Sequence, residues 1–315
     1  MENKKTRIVF FGTSDTPVFS SLPFLEALFK AGYNIVKVVT LSPKPSGRKK
    51  ELIPSPVKAK ALELGLDVIE AARLKDIKEN ISESEPDVGV IAAFGRIIPK
   101  DILNIPKKGL INVHPSLLPR WRGPAPIQYT LMAGDKVTGV TIHVTADKVD
   151  AGNIIAKKEI AISDGEDYIK LKKRLEILGV ETLLECLPDY LEKKITPQAQ
   201  NEAAATYSKF IKTEDAKIDF SKPVETIYNQ IRALNPDPGT FAFYNSKRII
   251  ISKAFMEKRD HNFEFGSIST EGNVLKIATL GGFIIPELIK FEGRKEIYSK
   301  AFLLGHSDIV GKVLK

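Results

Sequence analysis

The first half of this 315-residue chain alternates short apolar runs with amphipathic helical patterns, and this alternation limits the possible folds most strongly. Runs typical of buried strands occupy residues 8–11, 35–39, 88–93, 110–113 and 139–144. Segment 22–31 carries large apolar side chains at helical spacing. Strands that alternate with helices form parallel sheets covered by helices on both faces. We therefore predict an α/β fold with a Rossmann-like, mostly parallel sheet that binds ligands beyond the carboxyl ends of its strands.

The second half has a different pattern, which begins after a long amphipathic helix at roughly 166–191. Residues 191–208 are rich in Ala, Gln, Thr and Asn, which is typical of a linker. A helix is predicted from near Ser221, an N-cap residue, with Pro223 in its first turn. Short strand-like runs after residue 240 indicate a small β-barrel or sandwich. The predicted organisation is a first domain at 1–190, a linker at 191–208 and a β domain at 209–315.

Charge and cysteine content restrict the class of protein. The net charge of +8 is not concentrated in one basic tail, so it is only a modest indication of an anionic partner. No apolar run approaches the ~18 residues of a membrane helix, and the first residues lack the pattern of a secretion signal. The single cysteine, Cys186, excludes an internal disulfide and fits a reducing compartment. We expect a cytoplasmic protein.

Several common cofactor motifs are absent from the sequence. The turn after the first strand contains only Gly12, so the dinucleotide fingerprint G-x-G-x-x-G is missing and no nicotinamide or flavin is expected. The histidines are scattered without metal-ligand spacing, so no metal site is predicted. His143 alternates with apolar residues along its strand, and we assign it a structural role.

Polar residues end the strand in INVHPSLLPRWRG, residues 111–123. Asn112 and His114 are two positions apart and project to the same side of an extended strand. Asp150 lies in a turn between two later strand-like runs, and its carboxylate would orient the imidazole if that turn folds back over the first strand. The amide of Asn112 could donate to an oxygen that gains negative charge. Without a Ser or Cys nucleophile, this set suits direct acyl transfer to an external amine.

The same three residues also have ordinary structural interpretations. A single histidine at a strand end is commonly a structural residue with satisfied hydrogen bonds. Asn112 could cap the turn that follows it, and Asp150, which precedes Ala-Gly, is a usual turn residue. Residue spacing alone leaves both interpretations open.

The motif Asn112-x-His114-Pro-Ser-Leu-Leu-Pro119, followed later by Asp150, resembles the signature of 10-formyltetrahydrofolate-dependent formyltransferases. Longer segments are similar to the methionyl-tRNA formyltransferases of that family: PSGRKKELIPSPVK at 45–58, SLLPRWRG-x-A-P-I-Q at 116–128, AGD at 133–135, TGVTI at 138–142 and IRALNPDPG at 231–239. The resemblance covers about residues 6–310 in the same motif order. It departs from the family pattern in the first turn, at Lys49 and in PELIKFEGRK near the C-terminus.

The resemblance implies a one-carbon transferase that formylates the α-amine of initiator methionyl-tRNA for translation initiation, as a monomer without a metal. Asn112 and a protonated His114 would stabilise the oxyanion, while Asp150 would orient His114 and assist proton transfer. The formyl donor, 10-formyltetrahydrofolate, would lie against apolar walls and free backbone groups suited to a flat heterocycle. These walls would be formed by Ser116, Leu117, Leu118, Pro119, Ile91, Ala92, Phe94 and Gly95.

The resemblance also implies where tRNA binds. Arg48, Lys49 and Lys50 fall in a segment similar to the family's tRNA-contacting loop, where basic side chains position phosphates. Lys58, Arg120 and Arg122 add positive charge on loops predicted at the same end of the sheet. The C-terminal strands would form a tRNA-binding barrel of the oligonucleotide-binding type. Two alternatives remain open: formylation of a nucleotide-linked amino sugar, and a non-catalytic RNA-binding protein.

Overall fold

The computed structural model describes residues 5–13, 19–43 and 54–315, together with the main chain of two short strands at 45–46 and 51–52. Arg48, Lys49 and Lys50 lie outside the described residues. The chain folds into two compact units. The first comprises 1–126, 137–160 and 172–208, and the second comprises 127–136, 161–171 and 209–315.

The strands before residue 162 are β1 (Arg7–Gly12), β2 (Asn34–Leu41), β3 (Pro45–Ser46), β4 (Glu51–Leu52), β5 (Val68–Ala71), β6 (Val88–Ala92), β7 (Leu110–His114), β8 (Val137–Val144) and β9 (Ile154–Ala161). The helices up to residue 191 are α1 (Leu22–Lys30), α2 (Pro56–Glu63), α3 (Lys78–Glu83), α4 (Lys100–Leu103), α5 (Pro126–Met132) and α6 (Tyr168–Leu191). Each strand predicted from its apolar run is present, as is the helix predicted at 22–31.

A seven-stranded sheet with the order β5-β2-β1-β6-β7-β8-β9 forms the centre of the first unit. The first five strands in this order, from β5 through β2, β1 and β6 to β7, are parallel, and β8 runs antiparallel to β7. The predicted mostly parallel sheet is confirmed. Strands β2 and β5 are added on one side of β1, and β6 and β7 are added on the other side. Such a switch point in the strand order, here between β1 and β6, opens a crevice at the carboxyl ends of the strands. β7, which ends at His114, lies next to β6 at that edge.

The remaining elements are α7 (Val224–Leu234), β10 (Phe241–Tyr244), β11 (Lys247–Lys258), β12 (Ile268–Glu271), β13 (Val274–Thr279), β14 (Gly282–Phe291), β15 (Ile297–Tyr298) and α8 (Ser299–Gly305). They form an antiparallel sheet, β10-β11-β14-β13-β12, with β15 paired to β14. Register shifts between Ile251 and Ala254 bend β11 against β14, as β-bulges do in barrels. The predicted C-terminal barrel-type domain is confirmed.

The start of α7 differs from its prediction. Pro223 occupies the N-cap, and the Ser221 hydroxyl donates to Asp219 Oδ1 at 2.6 Å instead of capping the helix. The buried face of α7 is as expected, because Val224, Ile227 and Ile231 lie in the core of the antiparallel sheet. Within the described ranges, no helix combines the length and the apolar character needed to cross a membrane.

Candidate active site

The pairing of β7 with β8 builds the first half of the site. Asn112 lies opposite His143, and His114 lies opposite Thr141. Directly opposed residues in an antiparallel pair project to the same face of the sheet. Asn112, His114 and His143 therefore point together into the edge at the end of β7, and the His114 side chain is only 5% exposed.

The turn between β8 and β9 brings the carboxylate to these side chains. Asp150 Oδ2 lies 3.6 Å from His114 Nδ1, and Asp150 Oδ1 lies 3.6 Å from His143 Nε2. The backbone N–H of Gly123 donates to Asp150 Oδ2 at 2.8 Å. Gly152 closes the turn, where an added Cβ would lie 1.6 Å from the Val144 carbonyl oxygen. Only glycine fits there, so the sequence Asp-Ala-Gly specifies this tight return.

The Asn112 amide is held by two partners within the site. Its Nδ2 donates to His143 Nε2 at 3.2 Å and to Asp150 Oδ1 at 3.4 Å. His143 Nδ1 lies 3.0 Å from the Val144 carbonyl oxygen, which assigns the ring hydrogen to Nδ1 and leaves Nε2 as the acceptor. The bond to Asp150 is longer than the usual range for N–H···O bonds. Asp150 Oδ1 is therefore the acceptor that a substrate oxygen can replace most easily.

His143, to which the sequence analysis gave a structural role, contacts two of the predicted site residues. Its ring contacts both Asn112 and Asp150 and lies edge-on to the ring of His114, with the centroids 6.3 Å apart. The alternation of His143 with apolar neighbours placed it in a strand correctly. It did not show that the strand pairs directly beside Asn112, which depends on the register of β7 and β8.

Both ring nitrogens of His114 face oxygens. Nε2 lies 3.0 Å from the Trp121 carbonyl oxygen, and Nδ1 lies 3.6 Å from Asp150 Oδ2. Burial lowers the pKa of His114 below its usual 6.5, and this effect outweighs the Asp150 charge and the Trp121 carbonyl, which raise it. His114 is therefore neutral at pH 7. The pKa of Asp150 is lowered despite its burial, because the positive charge that His114 can carry and the Gly123 N–H favour the carboxylate.

The loop after β7 differs from the expectation of free backbone groups for a folate. The carbonyl oxygens of residues 116–119 accept hydrogen bonds from the Thr141 hydroxyl, the Arg120 N–H, the Lys157 amine and the Thr206 N–H respectively. The Leu118 N–H donates to Thr141 Oγ1 at 3.0 Å. This loop is therefore a rigid wall whose main-chain carbonyls already have partners.

The chain leaving β6 forms a more open surface at the same edge of the sheet. Ile91 and Ala92 are buried, whereas Phe94 is half-buried and packs edge-on against Phe11 at 5.5 Å. Gly95 is exposed, and the Ile97 side chain is 77% exposed. The sequence-based prediction of the folate site did not include Ile97. The available signal was an apolar residue two positions after Gly95, in the loop that follows a buried strand.

Two of the basic residues expected at this end have partners within the protein. Arg122 is 2% exposed, and its guanidinium donates to Gln200 Oε1 and to both carboxylate oxygens of Glu202. Hydrogen bonds from Arg122 to Glu202 raise the pKa of the arginine. Lys58 pairs with Glu70 at 2.6 Å. The Arg120 guanidinium lies 4.4 Å from the Trp121 ring centroid.

The segment 196–208, within the predicted linker, is part of the first unit and is hydrogen-bonded to the rest of it. Gln198 exchanges backbone bonds with Ile154, while Thr206 and Ser208 bond the backbone of Arg122. Gln200 Nε2 donates to the carbonyl oxygens of Asp150 and Gly152, both at 2.8 Å. The segment whose polar composition is typical of a linker therefore supplies side-chain and main-chain hydrogen-bond partners to the candidate site.

Two family models match this chain. Residues 6–187 match the formyl transferase model, and residues 210–307 match the model of the formyl transferase C-terminal domain. Methionyl-tRNA formyltransferase from Listeria innocua is 41% identical over 314 residues, with 98% of this chain and 99% of the relative covered.

Solved structures of similar fold include two proteins of low sequence identity. An N-formyltransferase from Helicobacter canadensis, in complex with folinic acid and dTDP-3-aminofucose, aligns with a TM-score of 0.67 at 19% identity, covering 89% of this chain and 98% of that one. HypX from Aquifex aeolicus, in complex with tetrahydrofolic acid, aligns with a TM-score of 0.65 at 17% identity. This alignment covers 98% of the present chain and 48% of HypX, so the chain spans about half the length of that protein.

Proposed function

The chain belongs to the formyl transferase family, and on that basis we propose that it transfers the formyl group of 10-formyltetrahydrofolate to the α-amine of initiator methionyl-tRNA. The product would be N-formylmethionyl-tRNA for translation initiation. The observation that carries the proposal is the Asp150 carboxylate held 3.6 Å from both His114 and His143, with Asn112 between them, at the carboxyl edge of the parallel sheet. No Ser or Cys nucleophile is needed when an amine attacks the formyl carbon directly.

Asn112 and His114 supply the polar contacts of the reaction. When the amine adds to the formyl carbon, Asn112 Nδ2 exchanges its long bond to Asp150 for one to the oxygen that gains negative charge. One such donor contributes about 10²–10³ in rate. Neutral His114 accepts the proton released by the amine, and the adjacent Asp150 carboxylate stabilises the resulting imidazolium. The sequence resemblance implies a His114 that is protonated before the reaction. In the proposal made here, His114 becomes protonated only when it accepts the proton of the amine.

Proton delivery to the departing folate nitrogen completes the transfer. His114, once protonated, returns its proton to that nitrogen as the carbon–nitrogen bond breaks. A general acid–base group of this kind contributes about 10²–10⁴ in rate. Asp150 remains ionised throughout because its pKa lies well below the working pH.

The residues at the β6 exit fit the folate substrate. Ile97 and Phe94 offer apolar contact, and Gly95 allows close approach of a flat ring. We propose that Ile91, Ala92, Phe94 and Gly95 form one wall of this site and Ser116, Leu117, Leu118 and Pro119 the other. The second wall acts through its side chains and its rigid shape, since its carbonyls are bonded internally.

The domain roles follow from the same proposal. Residues 1–190 would carry catalysis and 209–315 would bind tRNA, with 191–208 joining them. Arg48, Lys49 and Lys50 would contact tRNA phosphates. We further propose that the enzyme acts in the cytoplasm as a monomer, which size-exclusion chromatography with light scattering would test.

A formylation assay with charged tRNAs tests the proposed function. The protein is incubated with 10-formyltetrahydrofolate and either initiator or elongator methionyl-tRNA, with a nucleotide-linked amino sugar as a third acceptor. We expect formyl transfer to initiator methionyl-tRNA, with the elongator tRNA and the sugar reacting far more slowly. Transfer to the sugar alone would reassign the acceptor, and tRNA binding without any transfer would indicate a non-catalytic RNA-binding protein.

A further inference from the structure

We propose that Gln200 is a positioning residue for Asp150, an inference that rests on the proposed function. Gln200 comes from the segment that sequence composition predicted to be a linker. It is half-buried, and it contacts the turn that carries Asp150 rather than any group that would touch substrate. Its role is to fix the carboxylate relative to His114.

The amide nitrogen of Gln200 bonds two main-chain carbonyls of the turn that carries Asp150. Nε2 donates to the carbonyl oxygens of Asp150 and Gly152 at 2.8 Å each. An amide nitrogen has two hydrogens, so both are used within this one turn. Asp150 has φ of 49°, in the left-handed region that is costly for most residues and that Asp tolerates better than most. The two bonds hold this backbone conformation.

The amide oxygen of Gln200 connects the turn to the loop after β7. Oε1 accepts from Arg122 Nε at 3.1 Å and from Arg122 Nη2 at 2.8 Å. The next residue, Gly123, donates its N–H to Asp150 Oδ2 at 2.8 Å. Asp150, Gln200, Arg122 and Gly123 thus form a closed ring of contacts. The ring fixes both the main chain and the carboxylate of Asp150.

Gln200→Ala and Gln200→Glu separate the two functions of the side chain. Alanine removes all four bonds. Glutamate keeps an acceptor for Arg122 but cannot donate to the two carbonyls while ionised. Gln198→Ala is the matched control, because Gln198 lies in the same segment, is exposed, and donates from its side chain to the Thr196 carbonyl oxygen. The measurements are kcat, KM for tRNA, melting temperature, and the pKa of His114 followed by NMR on the free protein.

We expect kcat to fall about 10- to 100-fold in both Gln200 variants, because a shift of about 1 Å in a catalytic group has effects of that size. KM for tRNA should stay within about twofold, and Gln198→Ala should match the wild type. The pKa of His114 should fall in Gln200→Ala, because a displaced carboxylate no longer raises it.

The NMR titration keeps this inference separate from the proposed function. An inactive wild-type protein would refute the function, while a lowered His114 pKa in Gln200→Ala would still support the positioning role. Wild-type kcat in Gln200→Glu, an unchanged His114 pKa in Gln200→Ala, or loss of folding in both Gln200 variants would each overturn the assignment. The last outcome would show that Gln200 maintains the fold rather than the site.

Discussion

Asp150 is the residue that connects every part of the site. Its two carboxylate oxygens face His114 and His143, one of them accepts from Asn112, and the other accepts from the Gly123 N–H. A buried carboxylate with this many partners stays ionised, which is why its pKa is lowered although burial alone would raise it. We expect this charge to set the proton affinity of His114.

The pH dependence of Asp150→Asn tests that expectation. His114 must be neutral to accept a proton, so kcat/KM should fall as the pH drops through the His114 pKa, which lies below 6.5. The substitution removes a charge that raises this pKa, so the acidic limb should move to lower pH while kcat drops by about 10²–10⁴. An acidic limb that does not move would indicate that it reports the substrate amine rather than His114.

His143 should behave as a residue that orients its neighbours. In His143→Ala, Asn112 loses its shorter bond and Asp150 loses one of its two imidazoles, so we expect kcat to fall about tenfold or more. His261→Ala is a suitable control, because His261 also bonds main-chain carbonyls but lies in the second unit. Equal kcat values for the two variants would remove His143 from the site.

At the scale of elements, the hairpin of β8 and β9 carries the tightest steric constraint near the site. A Cβ at Gly152 would lie 1.6 Å from the Val144 carbonyl oxygen, so Gly152→Ala must shift the backbone of the turn. We expect about 1–3 kcal/mol of lost stability, seen as a lower melting temperature, together with lower kcat. Gly305→Ala is the control, since a Cβ there meets nothing within 4 Å. Unchanged melting and activity for Gly152→Ala would show that the turn is not rigid.

The same elements show what sequence could and could not predict. Period-2 geometry placed Asn112 and His114 on one face, and the turn residues placed Asp150 between two strands. The contact between His143 and Asn112 depends on the register of β7 and β8, which no local pattern encodes. Gln200 and Arg122 are far apart in the chain, and polar composition around Gln200 is equally typical of a free linker. A role that depends on contact with a residue distant in the chain can be assigned only from the tertiary structure.

For the whole molecule, the net charge of +8 matters through its local distribution. Arg122 and Lys58 are neutralised by Glu202 and Glu70, so neither supplies free positive charge for a polyanion. The tRNA contact is therefore expected from Arg48, Lys49 and Lys50, as the sequence resemblance implies.

Arg48→Ala tests the basic loop. It should raise KM for tRNA and reduce the salt dependence of binding, because each phosphate contact contributes to the slope of log K against log salt. Lys30→Ala is the control, since Lys30 is an exposed basic residue at the end of α1. An unchanged salt slope in Arg48→Ala would exclude Arg48 as a phosphate contact.

The most direct test of the proposed mechanism is the single-turnover rate of formyl transfer to initiator methionyl-tRNA by Asn112→Ala and His114→Ala. Both substrates are held at saturating concentration, and folding is checked by melting temperature. We expect folded variants that bind tRNA normally and transfer the formyl group at least about 10²-fold more slowly than the wild type. Near wild-type transfer by either variant would contradict the assignment of the reaction to this cluster.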